Sequence, residues 1–537
     1  MSYDSKRTAS DTPSSSSAKD AIEPAINCLP VEILSSIFCH LSSPTDPDDE
    51  DTHAPAHPWR PVLHVCKRWR QVAFDTKELW QVIPLGHPEW TKMALRLSRP
   101  RTIAIDHPST RSTDLPSTRT IGSEMTSHIY NIAESVLLPE YHRAHRIHIL
   151  LYLHDDRLQI QNCHILDYLK EVTPDELVDF CLRGDRTIIP LHHTIFKKEP
   201  ACLRHLRLEL CMLYESPNTF VNTLTTLRLD SCILTASYDI YMLISDIKLF
   251  LSLEVLHLMC TIPFEQQATP PFVESDHSRT LFPNLMRCRL FGHCSIIYVY
   301  LANIGAPLAC HWNIIAKAYA GHVIELPTLE PILPLAQFLA SRIALAARTL
   351  GMELHVVFSP NLIGRGSMKL ALQSLSLPHV KNPWCTLDWG DPEFVGGHQV
   401  PTLSAVVAAI PSDGFIASMC LDMELDDTDW EAIRPLLSRT QTLQFESPRY
   451  AINCPFIHRH PSDEEMRRLG TIQVNYVEGT ASAPDESDFH LIDSIIRNCI
   501  SRDELRVRIQ VGTGWPTEEE LAFLKSYGEF VELQRVS

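Results

Sequence analysis

Apolar residues return at every fourth position in CLPVEILSSIFCHL, residues 28–41: Ile33, Ile37 and Leu41 form one line, and Leu34 with Phe38 broadens it. That period predicts an amphipathic helix. Pro30 suits its first position, where no backbone donor is lost, and Glu32 suits the positive end of the helix dipole. A second line, Val62, Val65, Cys66, Trp69, Val72 and Ala73, advances in steps of three and four, with Lys67, Arg68 and Arg70 among the polar positions. It predicts a second helix over VLHVCKRWRQVA. In DTKELWQVI, Asp75 or Thr76 can cap a third short turn that presents Leu79 and Trp80. Between the first two helices, residues 42–58 (SSPTDPDDEDTHAPAHP) hold prolines and carboxylates but almost nothing to bury, and predict a loop. Its acidic run from Asp46 lacks the glycine that a calcium-binding EF-hand turn needs at its sixth position, so the expectation is a solvated loop.

Three short helices cannot hide all of these side chains in one another, because small units bury too small a share of their surface. Burying each large side chain is worth about 1.5–3 kcal/mol. The surplus face is therefore expected to meet a partner.

From residue 203 the period shifts to alternation. LRHLRLELCML (203–213) and LTTLRLDSCIL (224–234) fit L-x-x-L-x-L-x-x-[NC]-x-L at every fixed position. Shorter copies start at Leu253 (LEVLHLMCT), Leu285 (LMRCRLFGH) and Leu372 (LQSLSLPHV); the first four starts lie 21, 29 and 32 residues apart, which brackets leucine-rich-repeat spacing with insertions. In such a repeat a short strand sends its leucines inward, and the following turn and helix cover the back, so no copy stands alone. Cys211 and Cys232 fall at a buried bend with room for a small, weakly donating side chain, and are expected to be structural.

Elsewhere, EWTKMALRLSRPRTIAID (89–106) and LLPEYHRAHRIHILLY (137–152) each read as helix then strand. PILPLAQFLASRIALAARTLG (331–351) reads as helix, MELHVVFS and ELRVRIQVG as strands, and Thr517 with Glu520 as a capping box ahead of LAFLKSYG. The fold class predicted is α/β: a small all-α three-helix unit followed by an irregular leucine-rich-repeat solenoid, or horseshoe. The domains are a disordered tail over 1–24, the helical unit over 25–83, a linker with atypical first repeats over 84–200, and the solenoid over 201–537.

Between the two leucines of successive strands stand Arg207, Arg228, His257 and Arg289. On stacked strands about 4.7–4.9 Å apart, they would form a cationic column on the concave face, suited to a carboxylate-rich or phosphorylated segment of a protein target. Glu209 and Asp230, two residues further along, compete with that reading because they can neutralise their neighbours. Met259 and Phe291 offer a mixed apolar surface instead.

Composition narrows the function classes. At 45% hydrophobic residues over 537 the chain can fill a large core, and a net charge of −18 repels phosphate at long range, against non-specific binding to nucleic acid or an anionic membrane. No apolar run approaches a spanning helix, and residues 1–20 lack the apolar core of a secretory signal. The 16 cysteines are scattered, with no C-x-x-C pair, as expected of reduced thiols in the cytoplasm or nucleus. No nucleophile-elbow, P-loop or zincin motif occurs, and GRGSMK and GTGWPT each lack the third glycine of a dinucleotide loop. His142, His145 and His148 are evenly spaced but lack neighbouring carboxylates. Neither catalysis nor a cofactor or metal is expected.

The string Leu29-Pro30-x-Glu32-Ile33-Leu34-x-x-Ile37-Phe38-x-x-Leu41, then Val65-Cys66-Lys67-x-Trp69-x-x-x-Ala73, then Leu79-Trp80, resembles the F-box, and especially the F-box proteins of mushroom-forming (basidiomycete) fungi. The 42–58 loop is longer than the connection in many F-boxes. The resemblance implies docking on a Skp-family adaptor and, through it, on a cullin and RING ubiquitin ligase. By position it implies that Leu29, Pro30, Ile33, Ile37, Phe38, Val65, Cys66, Trp69 and Trp80 serve either docking or the unit's own core. The chain would then recruit a protein substrate and supply no catalytic group; the alternative is a leucine-rich interaction scaffold not engaged with a ligase.

Overall fold

The computed structural model describes residues 29–42, 59–83, 88–106, 138–151, 164–184, 188–261, 282–307 and 310–317, backbone strands within 352–388, and parts of 416–535. The predicted tail, most of the 42–58 loop, the 331–351 helix and Thr517 lie outside the described residues.

The first predicted helix is α1 (Val31–Ser42). Its first backbone bond runs from Leu34 to the Pro30 carbonyl, so Pro30 stands one position ahead of the helix rather than inside it. The second predicted helix is two pieces: a 3₁₀ turn (Arg60–His64) and α2 (Lys67–Asp75). Cys66 separates them in an extended conformation and caps α2, its sulfur accepting from the Trp69 N–H at 3.4 Å. Apolar spacing carries no sign of this break, because a thiol standing in for a capping oxygen looks like one more member of the apolar line. A second 3₁₀ turn (Lys77–Trp80) follows, and Thr76 precedes it without capping it by its side chain. The Thr76 hydroxyl instead donates to the Val72 carbonyl at 2.7 Å and lies 2.9 Å from Ser35 Oγ of α1, while Asp75 accepts from Gln71.

Beyond the helices the chain forms a mixed α/β structure built on one sheet. Its first strands are β1 (Val82–Ile83), β2 (Ile103–Asp106), β3 (Ala144–Leu151), β4 (Asp179–Gly184), β5 (Ile189–Leu191), β6 (His205–Glu209), β7 (Cys211–Leu213), β8 (Thr226–Leu234), β9 (Val255–Thr261), β10 (Arg287–His293) and β11 (His311–Lys317). Pairing is parallel and follows the chain: β1 to β2, β3, β4, β6, β8, β9, β10 and β11, with β5 and β7 extending the β8 side. The sheet continues through β12 (Met352–Pro360), β13 (Gly366–Ser374), β14 (Pro383–Asp388), β15 (Ile416–Leu421), β16 (Thr440–Phe445), β17 (Thr471–Tyr476), β18 (Arg506–Val511) and β19 (Val531–Arg535). Here β13 runs antiparallel to both its neighbours. The expected repeat copy at Leu372 is therefore not one, since it starts inside β13 and a stacked repeat needs a parallel strand.

The leucines explain the register. Leu206, Leu227, Leu256 and Cys288 lie side by side, as do Leu208, Leu229, Leu258 and Leu290, and all are buried. The helix between β8 and β9 (Ile240–Ile247) is capped by Asp239, whose carboxylate accepts from Tyr241 and Met242. It contributes Leu243, Ile244 and Ile247 to the same core, as the helix Cys294–Asn303 contributes Ile297 and Tyr300. Each cysteine at the bend is buried and offers its thiol to the preceding strand, Cys211 to Leu182 O at 3.9 Å and Cys232 to Leu208 O at 3.3 Å. The bend itself is a left-handed residue, Leu210 (φ 54°) or Ser231 (φ 52°), just before each cysteine.

Candidate functional site

The structure divides the candidate docking residues by direction. Phe38 and Trp80 are buried. Phe38 meets Trp69 with ring centroids 5.3 Å apart, and Trp80 packs among Trp59, Phe74 and Trp90 while its indole N–H donates to the Ala73 carbonyl at 2.8 Å. Leu29, Cys66 and Trp69 are half-buried; Arg68 reaches back to hold the Leu29 carbonyl. Pro30, Ile33, Ile37 and Val65 face outward. Ile33 keeps 48%, Ile37 40% and Val65 56% of its surface, and Val31 and Leu41 are similarly exposed.

Two of these directions have identifiable causes. In α1, Leu34 and Phe38 turn inward one step after Ile33 and Ile37, about 100° further around the helix, so only one side of the apolar line is consumed by the core. The break at Cys66 leaves Val65 outside the regular helix that its spacing suggested. Completing the burial of five such half-exposed residues is worth on the order of 1 kcal/mol each, roughly 5 kcal/mol in all. That is comparable with the low end of the cost of association, about 4–15 kcal/mol, so a stable complex must also use polar groups around the apolar ridge.

The second candidate region is the sheet face opposite the leucines. Arg207, Arg228, His257 and Arg289 stand in one row on β6, β8, β9 and β10, with Cys181 before them and Asn313 after. The next row reads Arg183, Glu209, Asp230, Met259, Phe291 and Ile315. Internal pairing is extensive on one half of this face: Arg183 meets Glu209 at 3.0 Å, Arg207 meets Glu209 at 3.3 Å and Asp230 at 3.2 Å, and His257 Nδ1 lies 3.2 Å from Asp230. Arg207 and the buried His257 are thus tied to neighbouring carboxylates, while Arg228 is half-buried and Arg289 exposed. Burial pushes the Asp230 carboxyl up, and Arg207, Arg228, Arg289 and Arg183 pull it back without cancelling the effect.

The three evenly spaced histidines do not converge. His142 sits in a 3₁₀ turn with Nδ1 2.9 Å from the Pro139 carbonyl, and His148 lies 3.0 Å from Asp179. His145 lies on the same strand as His148, half-buried, at a point where the pairing with β2 shifts by one residue. Among the described residues no group of three or more histidine, cysteine or acidic side chains is placed to hold a metal, and no helix is long and apolar enough to cross a membrane. Burial pushes the Cys181 thiol up to about 12 and those of Cys232 and Cys260 well above their usual range, so these sulfurs stay protonated.

Sequence reading missed further members of the strand series. Ala144-x-x-Ile147-x-Ile149, Leu177-x-x-Phe180-x-Leu182 and Leu469-x-x-Ile472-x-Val474 are buried like the leucine copies, and would have been found by accepting any apolar residue at the three inward positions. A comparison with curated proteins returned no match. A comparison with protein families matched residues 26–83 to the F-box-like family. The helical unit with the exposed aliphatic ridge is thus an F-box-like domain, carried by this chain over residues 26–83.

Proposed function

We propose that this chain is a substrate-recognition adaptor of a Skp-cullin-F-box ubiquitin ligase, acting in the cytoplasm or nucleus. The F-box-like unit docks on a Skp-family adaptor through Pro30, Ile33, Ile37 and Val65, with Leu29, Cys66 and Trp69 at the margin and Phe38 and Trp80 holding the unit together from within. The sheet region is an irregular leucine-rich-repeat solenoid that binds a protein target on the face carrying Arg207, Arg228, His257 and Arg289. One observation carries the docking half of this reading: an F-box-like unit whose inner side is spent on its own core leaves an aliphatic ridge in water. Parallel strands in chain order, with buried leucines in register, support the solenoid reading.

The chain's role is positional. Holding a target and the ligase on one body makes ubiquitin transfer effectively intramolecular, at effective concentrations on the order of millimolar for a short tether. Nucleic acid and membrane are not proposed as partners. The test is co-purification from cells: the tagged chain is expected to bring down a Skp-family adaptor and a cullin, and Ile33→Asp with Ile37→Asp to lose both. Recovery of targets without any adaptor would favour the scaffold reading instead.

A further inference from the structure

The F-box-like match ends inside the sheet. Its last two residues, Val82 and Ile83, are β1, which pairs in parallel with Ala104 and Ile105 of β2, and the Ala104 N–H donates to the Gln81 carbonyl at 2.8 Å. A single residue, Gln81, separates the 3₁₀ turn Lys77–Trp80 from that strand. A flexible tether of about ten residues would let two parts wander by roughly 16–19 Å; no such tether stands here. The core is likewise undivided: Leu34 and Phe38 of α1, Trp80, and Ile103 and Ile105 of β2 belong to one contiguous set of buried side chains.

The helix Pro88–Leu97 closes this joint from outside the match. Its Trp90 stacks on Trp80, with ring centroids 6.0 Å apart and planes 19° from parallel, and the Arg60 guanidinium lies 5.0 Å above the Trp90 ring as a cation–π contact. On the inner side of the same helix Thr91, Ala94 and Leu95 are buried. Two polar ties accompany the stack: Arg101, just ahead of β2, meets Glu78 at 2.5 Å, and Arg143, just ahead of β3, donates to the Leu95 carbonyl at 3.4 Å and to Ser98 Oγ at 3.0 Å. On the far side of Trp80, the Ala73 carbonyl, Trp59 and Phe74 hold the indole, and the Ser35–Thr76 hydroxyl contact at 2.9 Å fixes α1 to the same turn. The ridge on α1 is thus linked to the sheet through Trp80, and the link crosses out of the F-box-like unit at Trp90. Parts joined by a small polar interface move relative to one another by default; an aromatic stack continuous with the core removes that freedom.

We propose that Trp90 is a positioning residue: through Trp80 it locks the F-box-like unit to the sheet in one direction, so that the adaptor-docking ridge and the sheet move as one rigid body. The rigidity itself stands on the contacts above. Its consequence rests on the ligase reading: a ligase docked on the ridge would deliver ubiquitin to one fixed zone around the sheet, rather than to any lysine that a swinging tether could bring near.

The test is single-molecule energy transfer in the full chain, between dyes attached through orthogonal noncanonical residues at the exposed positions Gln71, in α2, and Leu251, at the edge of the sheet. Wild type is expected to give one narrow distance population, with or without a bound Skp-family adaptor. Trp90→Ala should widen it roughly twofold or more, as a freed joint allows, and Trp90→Phe, which keeps a stacking ring, should restore it. Adaptor affinity of Trp90→Ala should stay within about threefold of wild type, because the ridge is untouched and distant sites act almost independently; this shows that the unit itself remains folded. In a reconstituted ligase, the chain's own lysines serve as the probe: ubiquitin sites mapped by mass spectrometry should be few in wild type and should spread in Trp90→Ala. Should Trp90→Ala fail to fold, Arg60→Gln with Glu78→Gln, which removes two ties across the joint at exposed side chains, takes its place with the same expected outcomes. A broad wild-type distribution, an unchanged width in the variant, or identical ubiquitin sites would overturn the proposal. A wild-type chain that does not bind the adaptor would remove the ligase reading, and the distance measurement would still decide whether the joint is rigid.

Discussion

Ile37 and Phe38 are consecutive in α1 and point to opposite environments: Ile37 is 40% exposed, whereas Phe38 is fully buried against Trp69. Stability and partner binding should separate at these two positions. Phe38→Ala is expected to cost about 3–5 kcal/mol of folding stability, and Ile37→Asp to change it by no more than about 0.5 kcal/mol, both read from chemical denaturation. A large loss of stability from Ile37→Asp would mean that Ile37 belongs to the core.

Glu140 and Arg143 join a 3₁₀ turn to the end of the helix Pro88–Leu97. Arg143 donates to Glu140 at 2.8 Å, to Ser98 Oγ at 3.0 Å and to the Arg101 carbonyl, and Arg99 also pairs with Glu140. Burial works to raise the Glu140 carboxyl, but the two arginines outweigh it and hold the carboxyl below its usual range. A depressed carboxyl adds stability above its unfolded pKa, and that stability is lost as pH falls through the lower folded value. Acid titration of Glu140→Gln should therefore show a shallower loss of stability below about pH 4.5 than wild type. Arg143→Ala should cost about 1–3 kcal/mol near neutral pH, because Glu140 and Ser98 Oγ each lose a donor while Arg99 still pairs with Glu140.

Ser231 holds a left-handed backbone conformation that costs a residue with a Cβ about 1–2 kcal/mol. Ser231→Gly is expected to raise stability by about 0.5–1 kcal/mol once glycine's greater freedom in the unfolded chain is counted. Ser231→Val should lower it, since a branched side chain tolerates this conformation least. Melting temperatures of the two variants should shift in opposite directions.

The described thiols should differ in reactivity. Cys202 is exposed, whereas Cys232 and Cys260 are buried and held protonated. An alkylating reagent under native conditions, with the sites mapped by mass spectrometry, should label Cys202 well before either of them.

How much of this was legible in the sequence depends on whether local spacing or distant packing decides. The inward leucines of β6, β8 and β9 were legible because alternation alone assigns their face, and the buried thiols of Cys211 and Cys232 followed from the same motif. The strand at Ile147 was read as a strand but not as a member of the series, and those at Phe180 and Ile472 were obscured, because burial asks only for an apolar side chain, while the motif asks for leucine. In the helical unit a surplus of apolar residues was legible, but not which of Ile37, Phe38 and Trp80 formed it. That division comes from the Phe38–Trp69 and Trp59–Trp80 contacts and from the break at Cys66, which involve residues far apart in the chain or a capping thiol. The tie between Arg207 and Asp230 likewise depends on strand register across the intervening loop.

The central claim is that the aliphatic ridge of the F-box-like unit exists to bind a Skp-family adaptor. Calorimetric titration of the purified full chain with such an adaptor tests it most directly. Measurable binding is expected for wild type, with a loss of about 2–4 kcal/mol, roughly 30-fold or more in Kd, for Ile33→Asp with Ile37→Asp and an unchanged melting temperature. No binding by the folded wild-type chain, or equal binding by the double variant, would contradict it.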